Sequence, residues 1–277
     1  MATLTGKARL AGVLGWPVMH SRSPLMHGFW LKRHGIDGAY IPLPVERDFE
    51  TAVRGLQAAG FRGLNVTKPH KEAAFAICDT VEPSALRAGA VNTLVFDGRG
   101  ITGSNTDGFG FMAGLAEAGI TLDGASALVL GAGGGARAVC AALLDAGAIV
   151  TLANRSRHRA ENVAAALPGL SVTDWEEREQ ALGECDLLVN TTSLGMAGSE
   201  PLTLDLRQAK TSLCVADIVY VPLETPLLAQ ARAAGLRTVD GLAMLLHQAR
   251  PGFKAWFGVD PVVDDELRRL VLASLEA

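Results

Sequence analysis

The stretch that most constrains this chain is Gly131-Ala132-Gly133-Gly134-Gly135-Ala136. The apolar run Ala127 to Leu130 precedes it, and residues Ala136 to Ala146 continue with helical spacing. The stretch fits G-x-G-x-x-A. In that pattern the first glycine permits a tight turn and the second lets a pyrophosphate approach the backbone. The small third residue lets helix pack on strand. The helix start then offers unpaired N–H groups and the positive end of the helix dipole. A glycine-rich helix start can also serve packing alone. The strand-turn-helix-strand context, completed by Ala148 to Ala153, instead predicts a dinucleotide site.

The end of that second strand selects the nucleotide. An NAD site places Asp or Glu there, about 20 residues after the first glycine, to bind the ribose 2′-hydroxyl. Here, 23 residues after Gly131, stands Asn154-Arg155-Ser156-Arg157-His158-Arg159, with no carboxylate. Three arginines and a serine suit a 2′-phosphate through bidentate, charge-assisted hydrogen bonds. The sequence therefore predicts NADP.

Short strand-like and helical runs alternate along the rest of the chain, which predicts an α/β fold of two domains with mainly parallel sheets. In the first half, strands are expected at Leu10 to Leu14, Gly38 to Pro42 and Gly63 to Thr67. Helices are expected at Ser23 to Gly35, Phe49 to Ala59 and Glu72 to Ala76, with Ser23 as a possible N-cap and Pro24 at the first helical position. Val91 to Phe96 and Ile101 to Gly103 read as paired strands around the turn Asp97-Gly98. A second alternating run begins near Asp107. It includes strands at Asp186 to Asn190 and Leu213 to Ile218, and helices at Arg157 to Leu167 and Pro226 to Ala234. The 277 residues admit one large or two medium domains.

Composition excludes several classes. Lys+Arg is 25 against Asp+Glu 29, a net charge of −4, where a nucleic-acid binder shows a basic surplus on its binding face. The longest uncharged apolar run, Ala125 to Ala136, has 12 residues, and a membrane span needs about 20. The N-terminus lacks the pattern of a secretory signal. The four cysteines form no C-x-x-C and the six histidines no H-E-x-x-H, so neither a metal site nor a disulfide framework is expected. The expectation is a cytoplasmic protein with a small-molecule substrate and no nucleic-acid or membrane partner.

The first half carries polar clusters that end apolar runs. They are His20-Ser21-Arg22-Ser23-Pro24, Asn65-Val66-Thr67-Lys68-Pro69-His70-Lys71, Ala90-Val91-Asn92-Thr93 and Asn105-Thr106-Asp107-Gly108. Each is ordinary alone. Together they resemble polar groups converging at strand ends, where open α/β sheets bind ligands.

Taken in order with Gly241-Leu242-Ala243-Met244-Leu245-Leu246-His247-Gln248-Ala249, these motifs resemble the shikimate dehydrogenase family from about residue 10 to 275. The resemblance implies NADP-dependent interconversion of 3-dehydroshikimate and shikimate by an oxidoreductase acting on CH–OH. It implies a substrate domain of residues 1–106 completed by helices in 241–277, and a Rossmann-type NADP domain of residues 107–240, flanking a cleft. Carried over by position, Lys71 and Asp107 match the catalytic pair. Ser21, Ser23, Thr67, Asn92, Asp107, Tyr220 and Gln248 match substrate-binding residues. Gly131, Ala132, Gly133, Gly134 and Gly135 match cofactor contacts, as do Asn154, Arg155, Ser156, Arg159, Ile218 and Gly241. Two residues depart from the pattern: Lys68 where an apolar residue is usual, and Ile218 where methionine is common beside the nicotinamide. The expected assembly is a monomer or homodimer. A quinate/shikimate dehydrogenase using both NAD and NADP, and a non-catalytic NADP- or shikimate-binding regulator, are the alternatives.

Overall fold

A computed structural model describes residues 4–98 and 100–275. The chain forms two compact units, residues 1–106 with 248–277, and residues 107–247.

The first unit opens with β1 (Arg9–Gly15), α1 (Ser23–Arg33), β2 (Gly38–Pro44), α2 (Phe49–Ala58), β3 (Gly63–Val66) and α3 (Lys71–Ala76). It continues with β4 (Thr80–Val81), α4 (Pro83–Ala88), β5 (Thr93–Asp97) and β6 (Gly100–Ser104). Its sheet has the order β2-β1-β3-β5-β6-β4. β1 runs parallel to β2 and β3, while β5 is antiparallel to both β3 and β6. The β5–β6 hairpin turns one residue later than the sequence predicts: Asp97 still belongs to β5, opposite Gly100, and the turn begins at Gly98.

The second unit runs through α5 (Asp107–Glu117), β7 (Ser126–Leu130), α6 (Gly134–Asp145), β8 (Ile149–Ala153), α7 (Arg157–Ala166) and β9 (Ser171–Thr173). It continues with α8 (Arg178–Ala181), β10 (Leu187–Asn190), β11 (Cys214–Asp217), α9 (Pro226–Ala233), β12 (Arg237–Val239) and α10 (Gly241–His247). All six strands pair in parallel in the order β12-β11-β10-β7-β8-β9. Counted from β7 this is the doubly wound order 3-2-1-4-5-6, with its switch point between β7 and β10. β10 and β11 are buried along their full lengths, as strands covered on both faces must be.

The sequence reading places no helix where α5 lies. It contains Gly108, Gly110 and Gly114, which weaken a helix. Packing overrides that cost. A Cβ on Gly108 would lie 2.9 Å from the Ala138 carbonyl oxygen of α6, and one on Gly114 3.0 Å from the Ala243 Cβ of α10. Because α10 packs on α5, the chain returns to the first unit at Gln248, not at Gly241 as the sequence reading drew it.

The return is made by α11 (Ala249–Phe257) and α12 (Asp265–Leu275). Phe253 buries fully against Trp30 of α1, and Phe257 fully against Phe253. Each such side chain contributes about 1.5–3 kcal/mol by leaving water. The indole N–H groups here are satisfied: that of Trp256 donates to the Leu94 carbonyl at 2.9 Å, and that of Trp30 to the Val262 carbonyl at 3.0 Å, whereas the ring nitrogens of the neighbouring His27 find no hydrogen-bond partner among the described residues. Cys140, Cys185 and Cys214 are buried free thiols and Cys78 is half-buried. Burial pushes the Cys140 thiol up to about 12.

Candidate active site

In the first unit Ser21 and Ser23 follow the carboxyl end of β1, and Thr67 and Lys71 that of the neighbouring β3. The Trp16 N–H, just past β1, donates to the Lys68 carbonyl at 2.9 Å, and the Thr67 N–H donates to the Leu14 carbonyl at 2.9 Å. A Cβ on Gly15 would collide with the Thr67 side chain, so only glycine allows this approach. The loop after β1 leads to half-buried Ser21 and to Ser23, which is 8% exposed. Ser23 is not the N-cap. Arg22 occupies that position, Ser23 is the first helical residue and Pro24 the second. The Ser21 Oγ instead accepts the Ser23 N–H at 3.3 Å. Because the Ser23 hydroxyl is not spent on capping α1, the capping explanation for this serine fails.

Beyond β3, half-buried Thr67 and exposed Lys68 precede Lys71, which opens α3. Lys71 and Asp107 thus each begin a helix. The Lys71 carbonyl accepts the Val91 N–H at 3.1 Å, tying α3 to the segment that carries Asn92. Asn92 is 4% exposed. Its Oδ1 accepts from the Thr93 hydroxyl at 2.9 Å, the Thr106 N–H at 2.9 Å and the Thr106 hydroxyl at 3.2 Å. Behind it, the Asn65 amide donates to the Asn92 carbonyl and to Thr93 Oγ1, and accepts from the Tyr40 hydroxyl at 2.6 Å. His27 stacks on Tyr40 at 3.9 Å, wholly buried. Desolvation lowers its pKa to about 3, so the ring is neutral at pH 7. Gln248 is half-buried at the start of the returning segment.

In the second unit Gly131 has φ +107°, and a Cβ there would lie 2.8 Å from Thr191 Oγ1. This position requires glycine. Gly133 and Gly134 are exposed with open space beside them, and Ala136 is fully buried against the sheet. The three small positions do what the motif asks: turn, open approach and packing. α6 begins at Gly134, two residues earlier than the sequence suggested, so its first N–H groups lie within the glycine loop.

At the end of β8, Asn154 is half-buried, and Arg155, Ser156 and Arg159 are exposed. Arg157 is engaged elsewhere, with Glu161 at 2.9 Å and Asp174 at 2.6 Å. Among the described residues, Arg155 and Arg159 have no side-chain partner, so two of the three guanidinium groups are available for a phosphate. The donor set fits NADP. After β11 come half-buried Ile218 and Tyr220. Ile218 Cδ1 lies 3.2 Å from where a Gly135 Cβ would stand, and a Cβ on Gly241 would collide with the Ile218 and Val219 carbonyls. Thus the glycine loop, Ile218 and Gly241 come together in this unit.

Comparison with known proteins agrees with this geometry. Residues 13–94 match the family model described as the shikimate dehydrogenase substrate binding domain, and residues 114–242 match that described as shikimate / quinate 5-dehydrogenase. The chain belongs to the shikimate dehydrogenase family. A shikimate dehydrogenase (NADP(+)) of Acidiphilium cryptum is 63% identical over 273 residues, 98% of this chain and 99% of that protein. The Thermus thermophilus shikimate 5-dehydrogenase, solved with NADP(H) and shikimate, superimposes with a TM-score of 0.85 at 38% identity, covering 95% of this chain and 99% of that one. The quinate dehydrogenase of Corynebacterium glutamicum, solved with NAD, gives 0.89 at 33% identity over 96% and 99%.

The two departures from the shikimate dehydrogenase pattern can now be placed. Lys68 points to solvent and its carbonyl is structural. Ile218 fills the space beside the glycine loop. Sequence reasoning missed the buried polar residues Asn190, Asp217 and Thr225. For Asn190 and Asp217 the available signal was their place at the end of an apolar strand, and for Thr225 its place just before the Pro-led helix α9.

Proposed function

We propose that this chain catalyses the NADP-dependent interconversion of 3-dehydroshikimate and shikimate on the route to chorismate and the aromatic amino acids. Carrying this reading is its full-length similarity to NADP-dependent shikimate dehydrogenases, with every expected site residue present except methionine at position 218. Shikimate bears a carboxylate and three hydroxyls, so its recognition needs several hydroxyl and amide partners.

Ser21 and Ser23 bind the carboxylate at the start of α1, where the helix dipole favours an anion. Thr67, Asn92, Tyr220 and Gln248 bind hydroxyl groups, and Asp107 accepts a ring hydroxyl. Gly131 to Gly135 cradle the pyrophosphate, with Gly133 and Gly134 leaving the approach open. Arg155 and Arg159, with Asn154 and Ser156, hold the 2′-phosphate, and Ile218 and Gly241 shape the nicotinamide end. NADPH, when bound, supplies the hydride that reaches the ketone carbon. Lys71 gives the proton that the carbonyl oxygen then needs, and takes it back in the oxidation.

Among the described residues no helix is long and apolar enough to cross a membrane. We place the enzyme in the cytoplasm, as a monomer or homodimer. The test is an initial-rate matrix of shikimate and quinate against NADP and NAD, followed at 340 nm. Shikimate with NADP is expected to dominate. Comparable rates with quinate and NAD would make the chain a dual-specificity enzyme, and no turnover would make it a binding protein.

A further inference from the structure

Asp217 is a carboxylate in an almost solvent-free place. It ends β11, is 2% exposed, and has Asn190 and Thr225, both wholly buried, beside it. Its Oδ1 accepts the Val219 N–H at 3.0 Å and the Asn190 Nδ2 at 3.0 Å, and its Oδ2 accepts the Thr225 hydroxyl at 2.8 Å.

The Asn190 amide cannot turn over, because its Oδ1 already accepts the Thr192 N–H at 3.0 Å and the Thr192 hydroxyl at 2.7 Å. Thr225 also caps α9 through the Leu228 N–H. Every neighbour therefore presents a donor, which suits an ionised carboxylate as acceptor. Burial pushes the carboxyl above its ordinary range, while the Val219, Asn190 and Thr225 hydrogen bonds pull it back. Burying a charge is costly, and the strands alone do not require it.

The bonded N–H belongs to Val219, between Ile218 and Tyr220. On the other side of the same segment, Gly241 closes against the Ile218 and Val219 carbonyls. The segment is thus clamped from both sides, and Ile218 is aimed at the glycine loop.

We propose that Asp217 is a positioning residue for hydride transfer: with Asn190 and Thr225 it locks residues 218–220 so that Ile218 and Tyr220 hold the nicotinamide and the substrate in reacting geometry. The inference rests on the functional reading above. It acts on the nicotinamide end alone, because the adenosine half meets the Asn154–Arg159 segment.

The experiment compares Asp217→Ala and Asp217→Asn with the wild type. It reads kcat with shikimate and NADP, and the affinity of 2′,5′-ADP, which carries the adenosine half alone. Asp217→Ala is expected to lower kcat about 10- to 100-fold, the scale of a misplacement near 1 Å. The 2′,5′-ADP Kd should stay within two-fold. Asp217→Asn keeps an oxygen for the Val219 and Asn190 N–H groups but meets Thr225 with an amide, so that Thr225 must accept instead of donate, and it should recover part of the rate that the alanine variant loses. A kcat within two-fold in Asp217→Ala, or 2′,5′-ADP binding that falls in step with kcat, would overturn the proposal. Should Asp217→Ala fail to fold, the pair Thr225→Val and Thr225→Ser decides. The valine should lose at least three-fold in kcat and the serine should regain it, and equal rates would sink the idea. A wild type that does not turn over shikimate refutes the functional reading, and the inference with it. Normal wild-type turnover with an unaffected Asp217→Ala refutes the inference alone.

Discussion

Asn92 Oδ1 accepts the backbone N–H of Thr106 at 2.9 Å, the residue immediately before Asp107. A backbone N–H can only donate, so this bond fixes which way the Asn92 amide faces. With the Thr93 and Thr106 hydroxyls also donating to that oxygen, any further hydrogen bond from this side chain toward ligand comes from Nδ2. Asn92→Asp keeps the oxygen and replaces the donor with an acceptor. Shikimate KM should rise about 10-fold or more, the scale of leaving polar groups badly paired, with the NADP KM near normal. An unchanged shikimate KM would show that Asn92 only braces the loop.

Ser23 sits in the first turn of α1 and caps nothing. Ser23→Ala should raise the shikimate KM and leave the NADP KM close to wild type, with at most a modest fall in melting temperature from the lost hydrogen bond to Tyr40. A fall in stability without a KM change would return Ser23 to a structural role.

In the proposed function Arg155 distinguishes the two nicotinamide cofactors, because only NADP carries the 2′-phosphate. A hydrogen bond to a charged group is worth about 1.5–3 kcal/mol, or about 10- to 150-fold. Arg155→Ala should therefore weaken NADP by that factor and hardly touch NAD. Arg157, bound to Glu161 and Asp174, makes the control: Arg157→Ala should change NADP affinity far less. Equal losses of NADP and NAD in Arg155→Ala would refute the assignment of the 2′-phosphate site.

The cofactor half was the more legible in sequence, because local backbone requirements dictate it. Gly131 must hold a positive φ and Ala136 must pack, and both demands write themselves into residue type. The missing elements have equally local reasons. β4, β9 and β12 are two or three residues long, too short to show an alternation. α5 hides behind glycines whose purpose is contact with α6 and α10, which only tertiary packing reveals. Ser23 reads as an N-cap because serine before a Pro-led helix usually is one, and the helix begins one residue early. The Asp217–Asn190 pair and the Asn65 network join residues 25 or more positions apart, so no short window along the chain contains them.

His27 predicts how stability depends on pH. In the unfolded chain the imidazole takes up a proton near pH 6.5, whereas in the folded unit burial delays this to about pH 3. Between those values the unfolded state binds more protons, so stability falls as pH falls. From pH 7 to pH 5 the loss from this one group is about 2 kcal/mol, at roughly 1.4 kcal/mol per unit below 6.5. Denaturant unfolding at the two pH values measures it. His27→Leu should lose correspondingly less than the wild type over that interval, and parallel pH curves would show that His27 does not carry the effect.

The proposed proton donor is Lys71. It opens a helix, where a cation opposes the dipole, so helix stability does not account for a lysine there. Its backbone carbonyl is tied to Val91, one residue from Asn92, which fixes the start of the side chain in the site. Ketone reduction leaves an oxyanion that needs a donor within about 3 Å, and an ammonium can supply it. Lys71→Ala should lower kcat about 10²- to 10⁴-fold, the usual share of general acid–base catalysis. Shikimate KM should move much less, because the interaction lost belongs to the transition state. Lys71→Arg keeps the charge but cannot release a proton near neutral pH, so it should remain as slow as the alanine variant while binding shikimate normally. If kcat survives within a few-fold while KM climbs steeply, Lys71 binds substrate and the proton travels through Asp107 or water.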